Sequence, residues 1–274
     1  MSSAGFADLH LHTWHSDSTL SPAELVRQAY AAGLQTIAVT DHDCLDGIAP
    51  AVEAARDLSI RVISGVEMTA HFHDYEIHLI GLFVSPQHDE LVQELAALRS
   101  IRRERIRTMA ARLQHLGLPI HAEDVHQQAR GSCVGRAHVA QALLQRGYVG
   151  SLREAFDRYI GDGGPAYVPK PQWSIQKVVA LIRRAGGLAA LAHPGNYNID
   201  PLLPLFIAEL DALEVFCPLH TQPQIDRYNA LAAKFHLGVS GGSDDHGEAK
   251  EQRLLGQVKL PAALVEALEA RLTR

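Results

Sequence analysis

Short apolar runs, each closed by a polar cluster, alternate along this chain with stretches of helical periodicity. In Phe6-Ala-Asp-Leu-His-Leu-His12, Leu9 and Leu11 alternate with Asp8, His10 and His12. An extended segment there buries its leucines on one side and presents two imidazoles on the other. Residues 36–40, 60–66, 76–84, 187–191, 213–216 and 237–242 read as further strands. The strand at 60–66 delivers Glu67 at its end, and the strand at 76–84 carries Glu76 and His78 on one face. Ser21-Pro22 opens the first helix with a cap and a first-turn proline; Leu25, Val26, Ala29 and Tyr30 form its apolar face, and Gly33 ends it. Residues 46–58, 174–184, 221–235 and 261–272 read as helices between or after the strands.

After Ser85-Pro86 the strand rhythm stops. A long helical pattern over 90–116 is followed by shorter ones at 122–129, 135–146 and 152–159, and Gly161-Asp-Gly-Gly-Pro165 closes the block. The organisation is therefore α/β, with residues 1–86 and 166–274 forming one unit and 87–165 an inserted all-helical subdomain. Functional residues are expected at strand ends.

Composition narrows the class without choosing a reaction. The 274 residues are 47% apolar and 20% charged with a formal net charge of -6, as in a folded protein without a broad nucleic-acid surface. Cys44, Cys133 and Cys217 are odd in number and outside any CxxC spacing, which disfavours a disulfide framework or a thiolate zinc site. No leader pattern opens the chain and no apolar stretch is long enough to span a bilayer, so the expectation is a cytoplasmic protein with no membrane role.

Sixteen histidines change the picture. They gather with carboxylates where apolar runs end: Thr40-Asp-His42-Asp43, Gly65-Val-Glu67, Glu76-Ile-His78, Ala192-His193-Pro194 and Ser243-Asp-Asp-His246. Imidazole and carboxylate suit zinc, manganese or iron, and a carboxylate can bridge two cations. His10, His12 and Asp244 are grouped round one ion with Glu67 as the bridge; His78 and His193 hold a second against Glu67; Asp17, His42 and His246 suit a third. Neither G-x-G-x-x-G nor G-x-x-x-x-G-K-[ST] occurs, which ranks metal-assisted hydrolysis above redox or nucleoside-triphosphate chemistry. Asp43 and Asp245 read as partners of ligands, and His15 as either solvent-facing or a ligand's partner.

The ordered set His10-x-His12, Thr40-Asp-His42, Gly65-Val-Glu67, His78, Ala192-His193-Pro194 and Ser243-Asp-x-His246 resembles the PHP (polymerase and histidinol phosphatase) superfamily over almost the whole chain. The resemblance implies a distorted (β/α)7 barrel with a trinuclear centre of divalent ions, manganese preferred, at the C-terminal ends of its strands. It also implies phosphoester hydrolysis by a metal-activated water. Asp17 stands where part of the family has histidine. Ser132-Cys-Val-Gly-Arg136-Ala-His138, Tyr167-Val-Pro-Lys170 and Phe216-Cys-Pro-Leu-His220 are similar to the TrpH-like subgroup. That similarity implies removal of the 3'-phosphate from nucleoside 3',5'-bisphosphates to give 5'-monophosphates, or 5'-to-3' degradation of short 5'-phosphorylated RNA. A noncatalytic metal-dependent binding or editing module is the competitor from another class.

Phosphate recognition needs cations or donors beyond the metals. Arg136 and Lys170, flanking the insertion, are the candidates for binding substrate, and His220 for contacting a phosphoryl oxygen or protonating the leaving group. With Glu67 and His193, Arg136 and His220 make up the expected catalytic set. His138 reads as structural. Arg99, Arg102, Arg103, Arg105 and Arg107 share a helical stripe, either a solvated face balanced by Glu90, Glu94 and Glu104 or a guide for a nucleic-acid backbone. No obligate protein partner is evident.

Overall fold

The computed structural model describes residues 5–249 and 252–273. Its strands are β1 (Phe6–Leu11), β2 (Leu34–Val39), β3 (Arg61–Phe72), β4 (Tyr75–Leu82), β5 (Leu188–Leu191), β6 (Ala212–Phe216), β7 (Gly238–Gly241) and β8 (Leu260–Pro261). They form one sheet in the order β7-β6-β5-β4-β3-β2-β1-β8. The sheet curls into a nearly closed barrel, because His12 N–H donates to Asp245 O (3.3 Å) and Asp244 N–H to His10 O (2.9 Å) across the seam after β7. The expected seven strands are all present; β8 is an addition, two residues antiparallel to the start of β1.

Two details depart from the sequence reading. Glu67 lies inside its strand, since β3 continues to Phe72 and turns at His73 (φ 51°) and Asp74 into β4 without a helix between. Val66, Met68 and Ala70 are fully buried in alternation, so the apolar period runs past Glu67. The strand order also includes two antiparallel steps, β3 with β4 and β4 with β5; the other neighbours among β1 to β7 are parallel.

Helices α1 (Pro22–Ala31) and α2 (Ile48–Ala55) cover β1 and β2, burying Leu25, Val26, Ala29 and Ile48 against Leu11, Ile37 and Val39. The Ser21 hydroxyl accepts from Glu24 N–H (3.1 Å) and Glu24 accepts from Ser21 N–H (2.9 Å), a reciprocal cap worth about 1 kcal/mol.

Helix α3 (Asp89–His115) leads into α4 (Ala122–His126), α5 (Arg136–Gln145), α6 (Leu152–Ala155) and a π-helical turn at Phe156–Ile160. Its first half packs Leu91, Leu95 and Leu98 into the barrel-side core. Its second half packs Ile106, Met109 and Leu113 into a separate core with Val125, Val139, Leu143 and Ile160. Helices α7 (Ile175–Arg184), α8 (Gln222–Lys234) and α9 (Ala262–Glu269) complete the outer layer. Among the described residues no helix is long and apolar enough to cross a membrane.

Candidate metal centre

The alternation in β1 works as expected, but neither of its faces meets water. Leu11 packs with Leu25, Val26 and Ala29 of α1 and Leu9 with Ala38, Ile80 and Leu260, while Asp8, His10 and His12 are fully buried at the seam. Glu67 is the hub. Its carboxylate lies 3.4 Å from His10 Nε2, 3.3 Å from His12 Nε2, 3.0 Å from His42 Nδ1, 2.8 Å from His78 Nδ1 and 3.2 Å from His193 Nε2. Asp244 stands 3.1 Å from His12 Nε2, and Asp17 lies 3.4 Å from His246 Nε2 and 3.8 Å from His42 Nε2. Three overlapping groups result, each with its ligand atoms within 4.8 Å of one another: His12, Asp17, His42 and His246; His10, His12, Glu67 and Asp244; His42, Glu67 and His78. His193 joins through Glu67, its ring 5.5 Å from those of His10 and His78.

These residues fit divalent cations. His10 Nε2, His12 Nε2, Asp17 Oδ1 and Glu67 Oε2 are buried polar atoms without a well-directed hydrogen bond, and all point into one cluster. Leaving several such atoms unsatisfied is costly unless a cation accepts their lone pairs. Electrostatics agrees: burial opposes ionisation of Glu67, yet His42, His78 and His10 hold its carboxyl well below the usual range. Burial pushes His42 down to about 4, which keeps it neutral and able to ligate. On His12 burial is outweighed by Asp244 and Glu67, which raise it to about 9.

Backbone strain marks the same place. Asp43 (φ 48°), His193 (φ 29°) and Asp244 (φ 54°) occupy the left-handed region that favours glycine. The side chains needed at these points are imidazole and carboxylate, so the conformational cost is accepted at the site. Where close approach alone matters, glycine is used: a Cβ on Gly242 would stand 2.3 Å from that of His10.

Around the candidate ligands lies a layer of which the sequence reading picked out Asp245 but not Glu214, Asp8 or Asp41. Glu214, fully buried on β6, takes His10 Nδ1–H (3.1 Å) and His193 N–H (2.6 Å), which leaves His10 Nε2 free to face the cluster. Asp8 accepts from Ser243 N–H (2.9 Å), and burial pushes its carboxyl up to about 7. Asp41 accepts from Thr13 N–H (2.7 Å) and the Ser16 hydroxyl (2.6 Å). Asp245 accepts from Leu254 N–H (2.7 Å) and so ties down the loop carrying Asp244 and His246. Alternation marks Asp8, but nothing in Leu213-Glu214-Val215 says which face of a buried strand meets the centre.

The helical block and the segment that follows it supply cations. Arg136, Lys170, Arg102 and Arg105 line a 160 Å³ pocket together with Asp17, His42, Glu76 and His78. Lys170 Nζ donates to Glu76 (2.7 Å) and Thr69 (3.0 Å), and Arg136 pairs with Asp162 (2.6 Å) beside the Phe156 and Tyr167 rings. The arginine stripe divides. Arg107 stays at the surface with Glu104, whereas Arg102 turns inward onto Asp43 (2.7 Å) and Arg105 onto Val168 O (2.5 Å). It is neither a wholly solvated face nor a continuous guide for a nucleic-acid backbone.

His220, expected to contact a phosphoryl oxygen or protonate the leaving group, is held by backbone at both ring nitrogens. Its Nδ1–H donates to Val215 O (2.8 Å) and its Nε2 accepts from Gly195 N–H (3.2 Å), so both nitrogens are engaged in fixing the loop after His193. His138 accepts Gly135 N–H (3.1 Å) at the start of α5. A second chamber of 360 Å³ lies over the ligands, roofed by Ala137, Ala140, Leu152 and Phe156.

Comparison with known proteins agrees with this geometry. The model of the PHP domain matches residues 8–162. A 5'-3' exoribonuclease of Escherichia coli K12 is 35% identical over 94% of this chain and 90% of its own length. A 3',5'-nucleoside bisphosphate phosphatase of Chromobacterium violaceum is 32% identical over 97% and 98%. A solved structure from Bifidobacterium adolescentis, assigned as a metal-dependent phosphoesterase, superimposes with a TM-score of 0.88 at 30% identity, covering 99% of this chain and 98% of that one.

Proposed function

The chain belongs to the PHP domain family, and from that premise we propose that this metal-dependent phosphoesterase removes the 3'-phosphate from nucleoside 3',5'-bisphosphates. The observation that carries the reading is the sharing of Asp17, His42 and His78 between the ligand cluster's chamber and the cationic pocket. Two phosphates of one small molecule find two different receptors side by side. The ester to be cleaved sits at the cluster, and the 5'-phosphate sits against Arg136 and Lys170, with Arg102 and Arg105 behind them.

His10, His12, Glu67, Asp244, His78, His193, Asp17, His42 and His246 would hold up to three divalent ions, manganese by preference. Such ions lower the pKa of water and neutralise charge on a phosphoryl group. The protein's own side chains do the placing. Glu214 and Asp8 fix the ligands' orientation, and His220 holds the loop of His193. Arg136 and Lys170 exchange their carboxylate partners Asp162 and Glu76 for phosphate oxygens and set the ester in line for attack. Phe156, Leu152, Ala137 and Ala140 cover the nucleoside and keep bulk water out. The helical block, residues 87–165, thus acts as the substrate-recognition part and the barrel as the hydrolytic part. The same hydrolysis applied to a phosphodiester would make the protein a 5'-to-3' exoribonuclease on short RNA.

The test is product analysis with manganese-loaded protein on nucleoside 3',5'-bisphosphates, 5'-monophosphates, histidinol phosphate and short 5'-phosphorylated RNA. Selective release of phosphate from the bisphosphate is expected, with loss on chelation and in Glu67→Gln and His193→Ala variants that keep their circular dichroism. Turnover that survives chelation, or equal rates on 5'-monophosphates, would overturn the reading.

A further inference from the structure

Glu76 stands between the two halves of the site. It precedes His78 by two residues on β4, so the strand's alternation turns both side chains to one face. Across the ladder on β3 lie His71, in register with Glu76, and Thr69, in register with His78. Glu76 lines the cationic pocket, whereas His78 lines both that pocket and the chamber over the ligand cluster.

A single oxygen of Glu76 faces three nitrogens. Its Oε1 is 2.7 Å from Lys170 Nζ, 3.5 Å from His78 Nε2 and 4.0 Å from Arg136 Nη2. The first is a short charge-assisted hydrogen bond, while the second lies at the outer limit of one. Lys170 therefore holds the carboxylate, with the Thr69 hydroxyl as its second acceptor (3.0 Å). The four charged or ring side chains are between 12% and 22% exposed, so water screens them only in part and an exchange of partners counts.

The other nitrogen of His78 looks the opposite way. Its Nδ1 is 2.8 Å from Glu67, the hub of the cluster. With the Nδ1 lone pair turned to the cluster, a neutral ring carries its proton on Nε2, facing Glu76. A carboxylate on that N–H fixes the ring and makes it a stronger donor of its lone pair. Lys170 and His78 thus compete for one oxygen.

We propose that Glu76 is a positioning residue that couples the cationic pocket to the metal centre: a 5'-phosphate that takes Lys170 and Arg136 releases the carboxylate to close on His78 Nε2–H. The coupling rests on the reading of Arg136 and Lys170 as the 5'-phosphate receptor and deepens it. A ligand without a 5'-phosphate leaves Glu76 on Lys170 and His78 without its outer partner. Selection for the 5'-phosphate is then exercised at the metal ligands as well as in the pocket. The effect is reciprocal, so a filled centre tightens the pocket's hold on the phosphate by the same factor.

The experiment measures manganese binding by the full-length protein, following the free ion by its electron paramagnetic resonance signal, with adenosine 5'-monophosphate or adenosine present. Binding of the monophosphate itself is measured by calorimetry. Wild type is expected to hold manganese about fivefold or more tightly with the monophosphate than with adenosine, and Glu76→Gln to show no difference. Glu76→Asp, which keeps the charge but draws the oxygen back from His78, is a second variant expected to lose the difference. Lys170→Met is expected to tighten manganese binding without nucleotide, and to change nothing in the Glu76→Gln background. Simple removal of a positive charge would act in both backgrounds. A difference between the two ligands that survives in Glu76→Gln and Glu76→Asp, an equal effect of Lys170→Met in both backgrounds, or wild-type manganese affinity unchanged by bound monophosphate would overturn the proposal and leave the phosphatase reading standing. Failure of the monophosphate to bind wild type would overturn the reading of the pocket and the coupling with it.

Discussion

Replacing Glu214 with glutamine tests whether the metal centre is oriented from outside its ligands. Glu214 uses Oε1 on His10 Nδ1 (3.1 Å) and Oε2 on His193 N–H (2.6 Å). A glutamine keeps the shape but turns one oxygen into a donor. If the NH2 faces His193 N–H, two donors oppose each other and the loop of His193 loses its anchor. If it faces His10, the ring must accept at Nδ1 and carry its proton on Nε2, which removes the lone pair aimed at the cluster. Either arrangement sacrifices a hydrogen bond to a carboxylate, about 1.5–3 kcal/mol. Outer partners of metal-bound histidines cost about 10–100-fold in affinity when lost, about 1.4–2.7 kcal/mol. The two routes agree. The assay is competition with a chromogenic chelator, alongside kcat at saturating manganese and thermal melts of the metal-free protein to check folding. A manganese affinity within about twofold of wild type would refute the argument that Glu214 sets the tautomer of His10.

Two further outcomes follow from buried charge. Arg102 and Asp43 are paired with side chains 13% and 5% exposed. Arg102→Leu strands the carboxylate and should cost about 3–5 kcal/mol in urea denaturation. Adding Asp43→Asn, which tolerates the positive φ there, should recover most of it, and failure to recover would deny the pairing its role. Asp8, held up at about 7 by burial, keeps its proton in the folded state where the unfolded chain has lost it. Its contribution to the metal-free protein's stability is full below about pH 4 and disappears as pH rises to 7, at most about 4 kcal/mol. The difference between wild type and Asp8→Asn across that window, from denaturation at each pH, should show this slope, and parallel curves would contradict it.

The candidate ligands were legible because most of them sit where an apolar run meets a polar cluster, and the barrel then folds those places together. His12, His42, His193, Asp244 and His246 follow that rule, whereas His10, Glu67 and His78 lie within β1, β3 and β4. What sequence could not show is direction. Arg102 and Arg107 belong to the same helical stripe, but only the position of the barrel beneath α3 turns the first inward. His220 sits in a loop whose path fixes both ring nitrogens on backbone. The continuation of β3 past Glu67 was readable in Val66, Met68 and Ala70, but the conspicuous carboxylate drew the boundary too early.

Helix α3 has a mechanical consequence. At 27 residues it is a rod about 40 Å long, seated at one end in the barrel-side core and at the other in the core of the helical block. A continuous helix has no joint, so the roof over the chamber cannot swing away like a hinged cover without bending that rod.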